Sequence, residues 1–384
     1  MIDPQARKGL RTWLEIDRGA IAANVAAFRG AIPSGCMIAA VVKSNAYGHG
    51  LAEFSRTAAN AGAEWLAVDS VVEALALRRD GVTLPILVLG YTLPEMLEAA
   101  AGQDVSVTVS DMAHVEAVLA HAKNAALPRL KIHVKADTGM HRQGFLMAQA
   151  DSLISLLRQA GDSVIVEGLY THFAAAKNPD DLAHSRAQLA EFSGWKEKFE
   201  AAGFSPICHA AASAGAIAIP EACFDMVRIG AGLYGIWPSE EIRAKFESKI
   251  LLKPALSWKT IISETKRLPK GSMIGYDLTA TLSRDSVIAV CPVGYWHGYP
   301  RSLSNAGEVL VRGARCKVLG RVSMDMVVID VTDVAGAAIG EEVVIIGKSG
   351  GQQISLQDVA AASGTSAYEI VTRINPLIRK IYFN

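Results

Sequence analysis

Lys43 is the first residue of this sequence whose type and position predict chemistry. It follows the apolar segment 37–42, within VVKSNAYGHG (residues 41–50). A lysine at the end of a buried strand costs free energy unless its amine has a task. Such an amine can bind a phosphate group or form a Schiff base with a carbonyl compound. Schiff-base formation needs a neutral amine, which burial favours by lowering the lysine pKa from about 10.4.

Polar residues also follow several other predicted strands: Lys135 and Asp137, His172, Ser213, and Arg228 with Gly230. Any one of them is explained equally well as a solvated loop residue, but that explanation is weaker for the whole set. The loops ASAG (212–215) and RIGAG (228–232) supply glycine N–H groups and a hydroxyl, which suit a phosphate. Pyridoxal phosphate (PLP) and a sugar-phosphate aldolase substrate are both compatible with this set.

The elements that carry these residues alternate between short β-branched runs and longer amphipathic segments. Eight strands are predicted, at 37–43, 65–69, 86–90, 105–109, 130–136, 165–171, 207–211 and 226–230. Eight strand–helix repeats predict an α/β fold, a (β/α)8 TIM-type barrel with its active site at the C-terminal ends of the strands. A doubly wound open sheet gives the same alternation, but usually with fewer strands, and no GxGxxG motif follows the first strand.

The pattern changes near residues 235–260, where a polar connection leads to strand-like segments punctuated by Gly and Pro. A short helix is predicted at 355–363, and a mixed tail at 366–384. We therefore predict two domains: a barrel over residues 1–240 and a mostly β C-terminal domain over 241–384.

Composition limits the classes of partner. Among 384 residues, Lys plus Arg and Asp plus Glu number 38 each, so net charge favours neither nucleic acid nor an anionic membrane. No apolar stretch approaches the roughly 20 residues of a membrane-spanning helix. The five cysteines are scattered without a CxxC, so we expect reduced thiols and no metal site. The N-terminus has no signal-peptide pattern, and we expect a cytoplasmic protein.

Six motifs, in chain order from about residue 12 to the C-terminus, resemble those of alanine racemase: VVKSNAYGHG, KADTGMHRQG, THFA, FDMVRIGAGLYG, GRVSMDM and SAYEI. The resemblance implies a fold-type III PLP barrel followed by a β domain. It also implies a homodimer whose active sites take residues from both chains. The implied activity is interconversion of L- and D-alanine, with D-alanine used in the bacterial cell wall.

Residue roles follow from the resemblance by position. Lys43 would hold PLP and then act as the base on one face of the substrate Cα. Arg228 would hydrogen-bond the pyridine nitrogen, supported by His172. Because an arginine does not readily give up its proton, the ring would stay unprotonated and be a weaker electron sink. The phosphate would be held by Tyr47, Ser213, Tyr368 and backbone N–H groups near Gly230 and Ala231.

The substrate side of the site is implied in the same way. Tyr276 from the other subunit would be the second base, and a packed interface tyrosine is the alternative. Arg142 would contact the PLP phenolic oxygen and the substrate, and the Met324 N–H would bind the substrate carboxylate. Lys135 matches a position that is carbamylated in some members, with pairing to a carboxylate as the alternative. The entrance would be formed by Lys177, Tyr295, His297, Arg321 and Asp325.

Two bases are chemically reasonable because racemisation removes a proton from one face of Cα and returns one to the other. The reference pKa values of lysine and tyrosine, about 10.4 and about 10, are both high, so the surroundings must lower them. His133 and His209, inside strand runs, are interpreted as hydrogen-bonded core histidines.

The sequence departs from the family pattern at Ala212, where Asn is usual, and at Lys177, where Asp is usual. Trp296–His297 and Asp277 also differ, standing in place of Ala–Asp and Gly. Lys177 and His297 make the entrance more basic, which leaves the charge and size of the accepted amino acid open.

Three other functions remain open on the sequence. A racemase of different or broader substrate range shares every motif. A fold-type III decarboxylase has the same layout but usually carries a cysteine where Ser323 stands. A non-catalytic PLP carrier resembles only the barrel.

Overall fold

The computed structural model describes residues 4–124 and 126–384, and the chain forms two compact units. The barrel unit comprises Ala20–Ala46 and Leu51–Lys253. The β unit comprises Met1–Gly19, Tyr47–Gly50 and Pro254–Asn384. This division differs from the predicted domains: the barrel unit ends at Lys253 rather than 240, and the N-terminal segment joins the β unit.

The N-terminal strand β1 (Thr12–Asp17) explains the difference. It pairs antiparallel with Leu256–Ile261 and parallel with Arg379–Phe383. Its central residues are buried between these two neighbours. The strand β1 therefore joins the β unit rather than the predicted barrel, because its partners lie far away in the sequence.

The barrel unit contains eight parallel strands in the order β8-β7-β6-β5-β4-β3-β2-β9. They are β2 (Met37–Val41), β3 (Trp65–Val68), β4 (Ile86–Val88), β5 (Val105–Val109), β6 (Leu130–Lys135), β7 (Val164–Tyr170), β8 (Ile207–His209) and β9 (Met226–Ile229). Because β2 pairs with both β3 and β9, the sheet curls into a nearly closed TIM-type barrel. The predicted strands and barrel are confirmed, and the doubly wound sheet is wrong.

The helices of the barrel unit follow their strands in alternation. They are α1 (Arg18–Ala31), α2 (Leu51–Asn60), α3 (Val71–Arg79), α4 (Leu97–Gly102), α5 (Met112–Ala122), α6 (Ala150–Ala160), α7 (Ala183–Ala201), α8 (Ser213–Ala218) and α9 (Glu240–Phe246). In α6, positions 150, 153, 154 and 157 are buried, as a helix lying on a sheet requires. In the described part of the chain, no helix has the length and apolarity needed to cross a membrane.

The β unit is mostly β, as predicted, and most of its strands pair antiparallel. Its strands after β1 are β10 (Leu256–Ile261), β11 (Glu264–Leu268), β12 (Met273–Ile274), β13 (Ala280–Thr281), β14 (Ser286–Cys291), β15 (Glu308–Val311), β16 (Ala314–Leu319), β17 (Val327–Asp330), β18 (Glu342–Ser349), β19 (Gln352–Ile354) and β20 (Arg379–Phe383). The main sheet runs β11-β14-β17-β16-β15-β18-β10-β1-β20. Two short helices follow β19: α10 (Leu356–Ser363), where a helix was predicted, and α11 (Ala367–Thr372).

Candidate active site

Lys43 lies at the C-terminal end of β2, at the rim that the sequence predicts. Its Nζ is 3.0 Å from Oδ1 of Asp69, which follows β3, and its side chain is 38% exposed. The burial expected of this lysine is therefore absent, and an ion pair takes its place. Asp69 was missed by sequence analysis, although WLAVD (residues 65–69) ends in a carboxylate at the same rim.

The backbone after Lys43 forms a left-handed turn. Residues 44–47 have φ of 55°, 56°, 51° and 48°, and none of them is glycine. Each such residue costs roughly 1–2 kcal/mol, so other contacts must hold the turn. Glu73 supplies them: its Oε1 accepts from the N–H of Ser44 at 2.7 Å and of Asn45 at 3.3 Å. Its Oε2 accepts from the Asp69 N–H at 2.8 Å, so one carboxylate fixes both partners of the ion pair.

Gly48 ends the turn at a position that only glycine can occupy. Its φ is +79°, and a Cβ there would lie 2.2 Å from the carbonyl oxygen of Val371. The glycine of the AYGHG segment is thus required both by the backbone conformation and by the close approach of α11.

Lys135 is buried at the end of β6, and its Nζ donates to Oε1 of Gln143 at 3.0 Å. Burial, followed by the charges of Arg142 and Arg228, lowers the pKa of Lys135 to about 8. Among the described residues no carboxylate lies within ion-pair distance of this amine. The expectation that an unmodified Lys135 pairs with a carboxylate is therefore wrong.

Asp137 shapes the loop that carries Arg142. Its Oδ1 accepts from three successive backbone N–H groups, those of residues 139, 140 and 141, at 2.9–3.1 Å. Burial acts to raise the pKa of Asp137, but these hydrogen bonds outweigh it and hold the pKa below its usual value. The loop closes at Gly144 (φ +137°), where a Cβ would lie 2.6 Å from the Asp137 nitrogen. Arg142 is left exposed at the rim.

Arg228 is a buried cation whose side chain is hydrogen-bonded to residues at the ends of β7 and β8. Its Nη1 donates to the Nδ1 and the carbonyl oxygen of His209, at 2.8 and 3.0 Å. Its Nη2 donates to the carbonyl oxygens of Thr171 and Ala210. The Nδ1 of His172 lies 3.2 Å from Nη2, as the predicted supporting role requires. Burial, together with the nearby cations led by Arg228, lowers the pKa of His172 to about 3, so the ring is neutral.

Ser213 organises the loop after β9. Its Oγ accepts from the N–H of Gly230 at 3.1 Å and of Gly232 at 3.3 Å. Ala212, just before it, forms a bridge with Arg228. The serine and the glycine loop are thus together, as predicted, but the Gly230 N–H already has an acceptor. Ala231 is the following residue of the same buried loop.

Tyr47 and Tyr368 form a pair within the β unit, with their ring centroids 6.3 Å apart. Burial, with a smaller contribution from Tyr368, raises the pKa of Tyr47 to about 12. Burial also raises the pKa of Tyr368. Both phenols stay protonated near neutral pH, so each can donate a hydrogen bond to an anion.

Tyr276 lies in an exposed turn of the β unit, and 69% of its surface is accessible. The next residue, Asp277, has φ +59°, where the family pattern has glycine, and its Oδ2 accepts from Nε of Arg321 at 2.7 Å. Met324, also exposed, is anchored by its carbonyl oxygen, which accepts from the Trp296 N–H at 2.9 Å. Tyr295 is exposed beside Trp296. The turn that carries Tyr276 thus begins at Gly275 (φ +76°) and is tied to Arg321 through Asp277.

His297 is not a cationic group at an open entrance. Its Nδ1 accepts from the Gly294 N–H at 3.2 Å, within its own turn. Burial lowers the pKa of His297, although the charge of Asp325 opposes this, so the ring is neutral near pH 7. His297 therefore adds no positive charge, although it removes the negative charge of the aspartate in the family pattern. Lys177 is exposed in the barrel unit.

The barrel rim suits a phosphorylated carbonyl compound. The amine of Lys43 is accessible, and Lys135, Arg142 and Arg228 add positive charge. Arg228 has five N–H donors, and acceptors are in place for its two Nη groups. Within residues 4–124 and 126–384 its Nε–H has no acceptor, which fits a ring nitrogen. On this donor chemistry the residues fit PLP.

Comparison with known proteins gives the family. Residues 16–238 match the profile of the alanine racemase N-terminal domain, and residues 255–382 match that of the C-terminal domain. The chain belongs to the alanine racemase family. It is 40% identical over 380 residues to the alanine racemase of Symbiobacterium thermophilum, covering 97% of this chain and 98% of that protein.

Solved structures of the family agree in fold. Alanine racemase from Bacillus anthracis with bound L-Ala-P has a TM-score of 0.90 and 36% identity, covering 97% of this chain and 95% of that one. The Streptomyces coelicolor enzyme has a TM-score of 0.92 and 35% identity, covering 100% of both chains. The predicted resemblance and the predicted barrel with a β domain are confirmed.

Glu73 should control the order of the turn after Lys43. We expect Glu73→Ala to speed amide exchange at residues 44 and 45 and to lower the free energy of unfolding by about 1–3 kcal/mol, because three N–H groups lose their acceptor. Hydrogen exchange read by mass spectrometry, with a thermal melt, measures both. The matched control is Glu98→Ala, at an exposed glutamate of α4. Equal exchange in the two variants would show that Glu73 does not hold the turn.

Proposed function

We propose that this protein interconverts L- and D-alanine with PLP held by Lys43. The observation that carries the proposal is the buried Arg228, whose Nε–H has no acceptor among the described residues, on the same rim as the accessible Lys43 amine. Membership of the alanine racemase family supports the same reaction. The conserved layout of barrel and β domain distinguishes the chain from a PLP carrier that consists of a barrel alone.

Each residue has a role that its environment allows. When bound, PLP supplies a carbonyl that links to an amine and a ring that accepts electrons from Cα. Arg228 would donate to the ring nitrogen and, as a permanent cation, would keep a proton off that atom. As the resemblance implies, the phosphate would be held by Ser213 with residues 230–232 and by the protonated phenols of Tyr47 and Tyr368. The cation Arg142 faces the anionic oxygens of the ring and the substrate.

The proton steps are assigned to Lys43 and Tyr276, one on each face of the substrate Cα. The amine of Lys43 takes or returns the proton on its face, and the phenol of Tyr276 does the reverse on the other face. Met324 offers its backbone N–H to the substrate carboxylate, and Tyr295, Arg321, Asp325, His297 and Lys177 lie at the entrance. Ser323, where a decarboxylase usually has cysteine, favours racemisation over carbon dioxide loss.

A homodimer with shared active sites is proposed from the surface of the β unit. Tyr276, Leu278, Trp296 and Met324 are large apolar side chains, each more than half exposed. The Trp296 and Met324 loops are joined by a backbone hydrogen bond, and the Tyr276 turn is tied to Arg321 in the same unit. Exposed apolar surface of this kind is typical of an interaction site. We assign it to a second copy of this chain, which would receive Tyr276.

The product and the compartment follow from the same proposal. D-alanine would serve the bacterial cell wall. A cytoplasmic location is supported by the five cysteines, which are all free and buried.

Lys135 is proposed to be carbamylated. Its neutral amine nitrogen attacks the carbon of carbon dioxide, an N–C bond forms, and the nitrogen loses a proton, which leaves an anion beside Arg142. The carbamate would offset the positive charge that now lowers the pKa of this lysine. It would also fix the orientation of Arg142.

The carbamate signal should rise with pH. Lys135 has a pKa of about 8, so the fraction of neutral amine grows from about pH 6.5 to about pH 9. The measurement is ¹³C NMR with labelled bicarbonate. Lys135→Met should lose the signal, whereas Lys196→Met, at a lysine paired with Glu200 on the surface, should keep it. No signal at either pH, or a signal that survives in Lys135→Met, would contradict the proposal.

Racemisation by two bases predicts a selective loss in Tyr276→Phe. The PLP-loaded protein, given L-alanine in D2O, should exchange Cα–H and lose optical activity, as followed by NMR and circular dichroism. In Tyr276→Phe turnover should fall about 10²–10⁴-fold while PLP absorbance is kept. Tyr91→Phe, at another exposed tyrosine, should behave like the wild type. No exchange in the wild type would reject alanine as the substrate.

Shared active sites predict complementation between two inactive variants. In a heterodimer of Lys43→Ala and Tyr276→Phe, one site combines both substitutions and the other has neither. Random mixing should therefore restore roughly a quarter of the wild-type specific activity. Activity after unfolding and refolding the mixture measures this, with each variant refolded alone as control. No recovery from a mixture that forms dimers would place both bases on one chain.

A further inference from the structure

A chain of buried polar side chains runs through the barrel interior from Arg228. The Nη1 of Arg228 is 2.8 Å from Nδ1 of His209, and the Nε2 of His209 is 2.9 Å from Nδ1 of His133. The Nε2 of His133 is 3.4 Å from Oε2 of Glu167, which also accepts from the hydroxyl of Ser106. We name these five residues the polar column.

The packing around the polar column is specific. His133 and His209 are fully buried, and the ring of Tyr170 stacks on His209 with centroids 4.7 Å apart. Gly168 leaves room for His133, because a Cβ at that position would lie 2.0 Å from its Nδ1. β6 and β7 change register at His133, which brings Gly168 opposite it. Glycine and the register shift together place an imidazole at the barrel centre.

The ends of the column determine where its protons lie. Arg228 can only donate, and an ionised Glu167 can only accept. Burial lowers the pKa of both histidines, so each ring is neutral and carries one N–H. Burial would raise the pKa of Glu167, but the hydrogen bonds from His133 and Ser106 keep it below its usual value. Both histidines must then be protonated at Nε2, with Nδ1 as the acceptor. Any other arrangement sets two donors or two acceptors against each other.

We propose that Glu167 is a positioning residue for Arg228, acting through the Nε2–H tautomers of His133 and His209. The inference rests on the proposed function, in which Arg228 donates to PLP. The Glu167 carboxylate fixes the proton of His133, which fixes that of His209, and so leaves His209 Nδ1 to accept from Arg228. The guanidinium is thereby held through both Nη groups, while its Nε–H, which has no acceptor in the described part of the chain, could donate to the ring nitrogen.

The residues beyond Glu167 provide a matched control. Lys131 Nζ is 3.7 Å from Oε1 of Glu167 and 2.6 Å from Oδ1 of Asp104. Asp104 is exposed and has φ +51°, a conformation that asparagine also adopts readily. Asp104→Asn therefore removes one negative charge from the same lysine, as Glu167→Gln does, without touching the column.

The first measurement needs neither PLP nor activity. In protein labelled with ¹⁵N-histidine, the Nδ1 and Nε2 chemical shifts report the tautomer of each ring. Signals are assigned with His133→Gln and His209→Gln. We expect both rings to be neutral with the proton on Nε2. A ring that is protonated on Nδ1, or on both nitrogens, would overturn the column.

The second measurement tests whether the column acts on the cofactor site. We expect Glu167→Gln, which keeps an acceptor oxygen but loses the charge, to weaken PLP affinity, and Glu167→Leu to weaken it about tenfold or more. The absorbance maximum of bound PLP should shift in the same order. Glu167→Asp should recover part of the affinity, and Asp104→Asn should match the wild type.

The outcomes separate this inference from the proposed function. One result is that the histidines have the expected tautomers while PLP affinity and absorbance are equal in Glu167→Gln, Asp104→Asn and wild type. That result would show that the column serves only core packing, and it would overturn the inference. If Glu167→Leu fails to fold, Glu167→Gln decides between the two outcomes, because glutamine has the same shape as glutamate. Wild-type protein that binds PLP but does not racemise alanine contradicts the proposed function and leaves the column result standing.

Discussion

The buried charge of Arg228 is the constraint on which the barrel interior depends. A guanidinium that is 3% exposed is tolerated only if its N–H groups are satisfied. The acceptors come from the ends of two neighbouring strands: Thr171 after β7, and His209 and Ala210 at the end of β8. Burial lowers the pKa of Arg228 to about 10, which still leaves it charged at neutral pH. The strands must therefore end in register around this side chain.

The rim combines two opposed requirements. Positive charge attracts anionic groups, but the same charges repel one another in a site of low polarity. The structure resolves this differently at each position. Lys43 has a carboxylate partner in Asp69, whereas Lys135 donates to the amide of Gln143, and burial together with nearby cations lowers its pKa. His172 lies among these cations as a neutral ring. A side chain at the rim thus keeps its positive charge where a carboxylate or solvent is available, and its pKa is lowered where neither is available.

Sequence reasoning was strongest where a local pattern decides the outcome. The strand ends carrying Lys43, Lys135 and Arg228 follow from short apolar runs, and the barrel follows from their number. Sequence reasoning failed where residues that are far away in the sequence determine the local structure. The N-terminal strand β1 is only six residues long, so its local sequence pattern is weak. Its partners in the sheet are the distant strands β10 and β20. The left-handed turn after Lys43 was missed because nonglycine residues rarely adopt it, and Glu73, which holds it, lies on another helix.

His133 and His209 show both what the sequence pattern predicts and what it leaves out. Their position inside strand runs correctly indicated buried, hydrogen-bonded histidines. What the strand pattern does not contain is that they bond to each other and to Arg228, since this requires the order of strands around the barrel and the register shift at Gly168. The departures at Asp277 and His297 were visible in the sequence, but their hydrogen-bond partners were not.

The pairing of β1 has a consequence for how the chain is put together. The segment from Ala20 to Lys253 lies in the sequence between β1 and β10, which are neighbours in one sheet, and all of it except Tyr47–Gly50 belongs to the barrel unit. Asn24 joins the ends of this long insertion: its Nδ2 donates to the Lys253 carbonyl at 2.8 Å, and its Oδ1 accepts from the Lys253 N–H at 2.7 Å. During translation β1 must stay unpaired while the whole barrel is made. An exposed, unpaired strand is a risk for aggregation. Early closure of the barrel, in which Asn24 joins its two ends, shortens the time for which β1 is exposed.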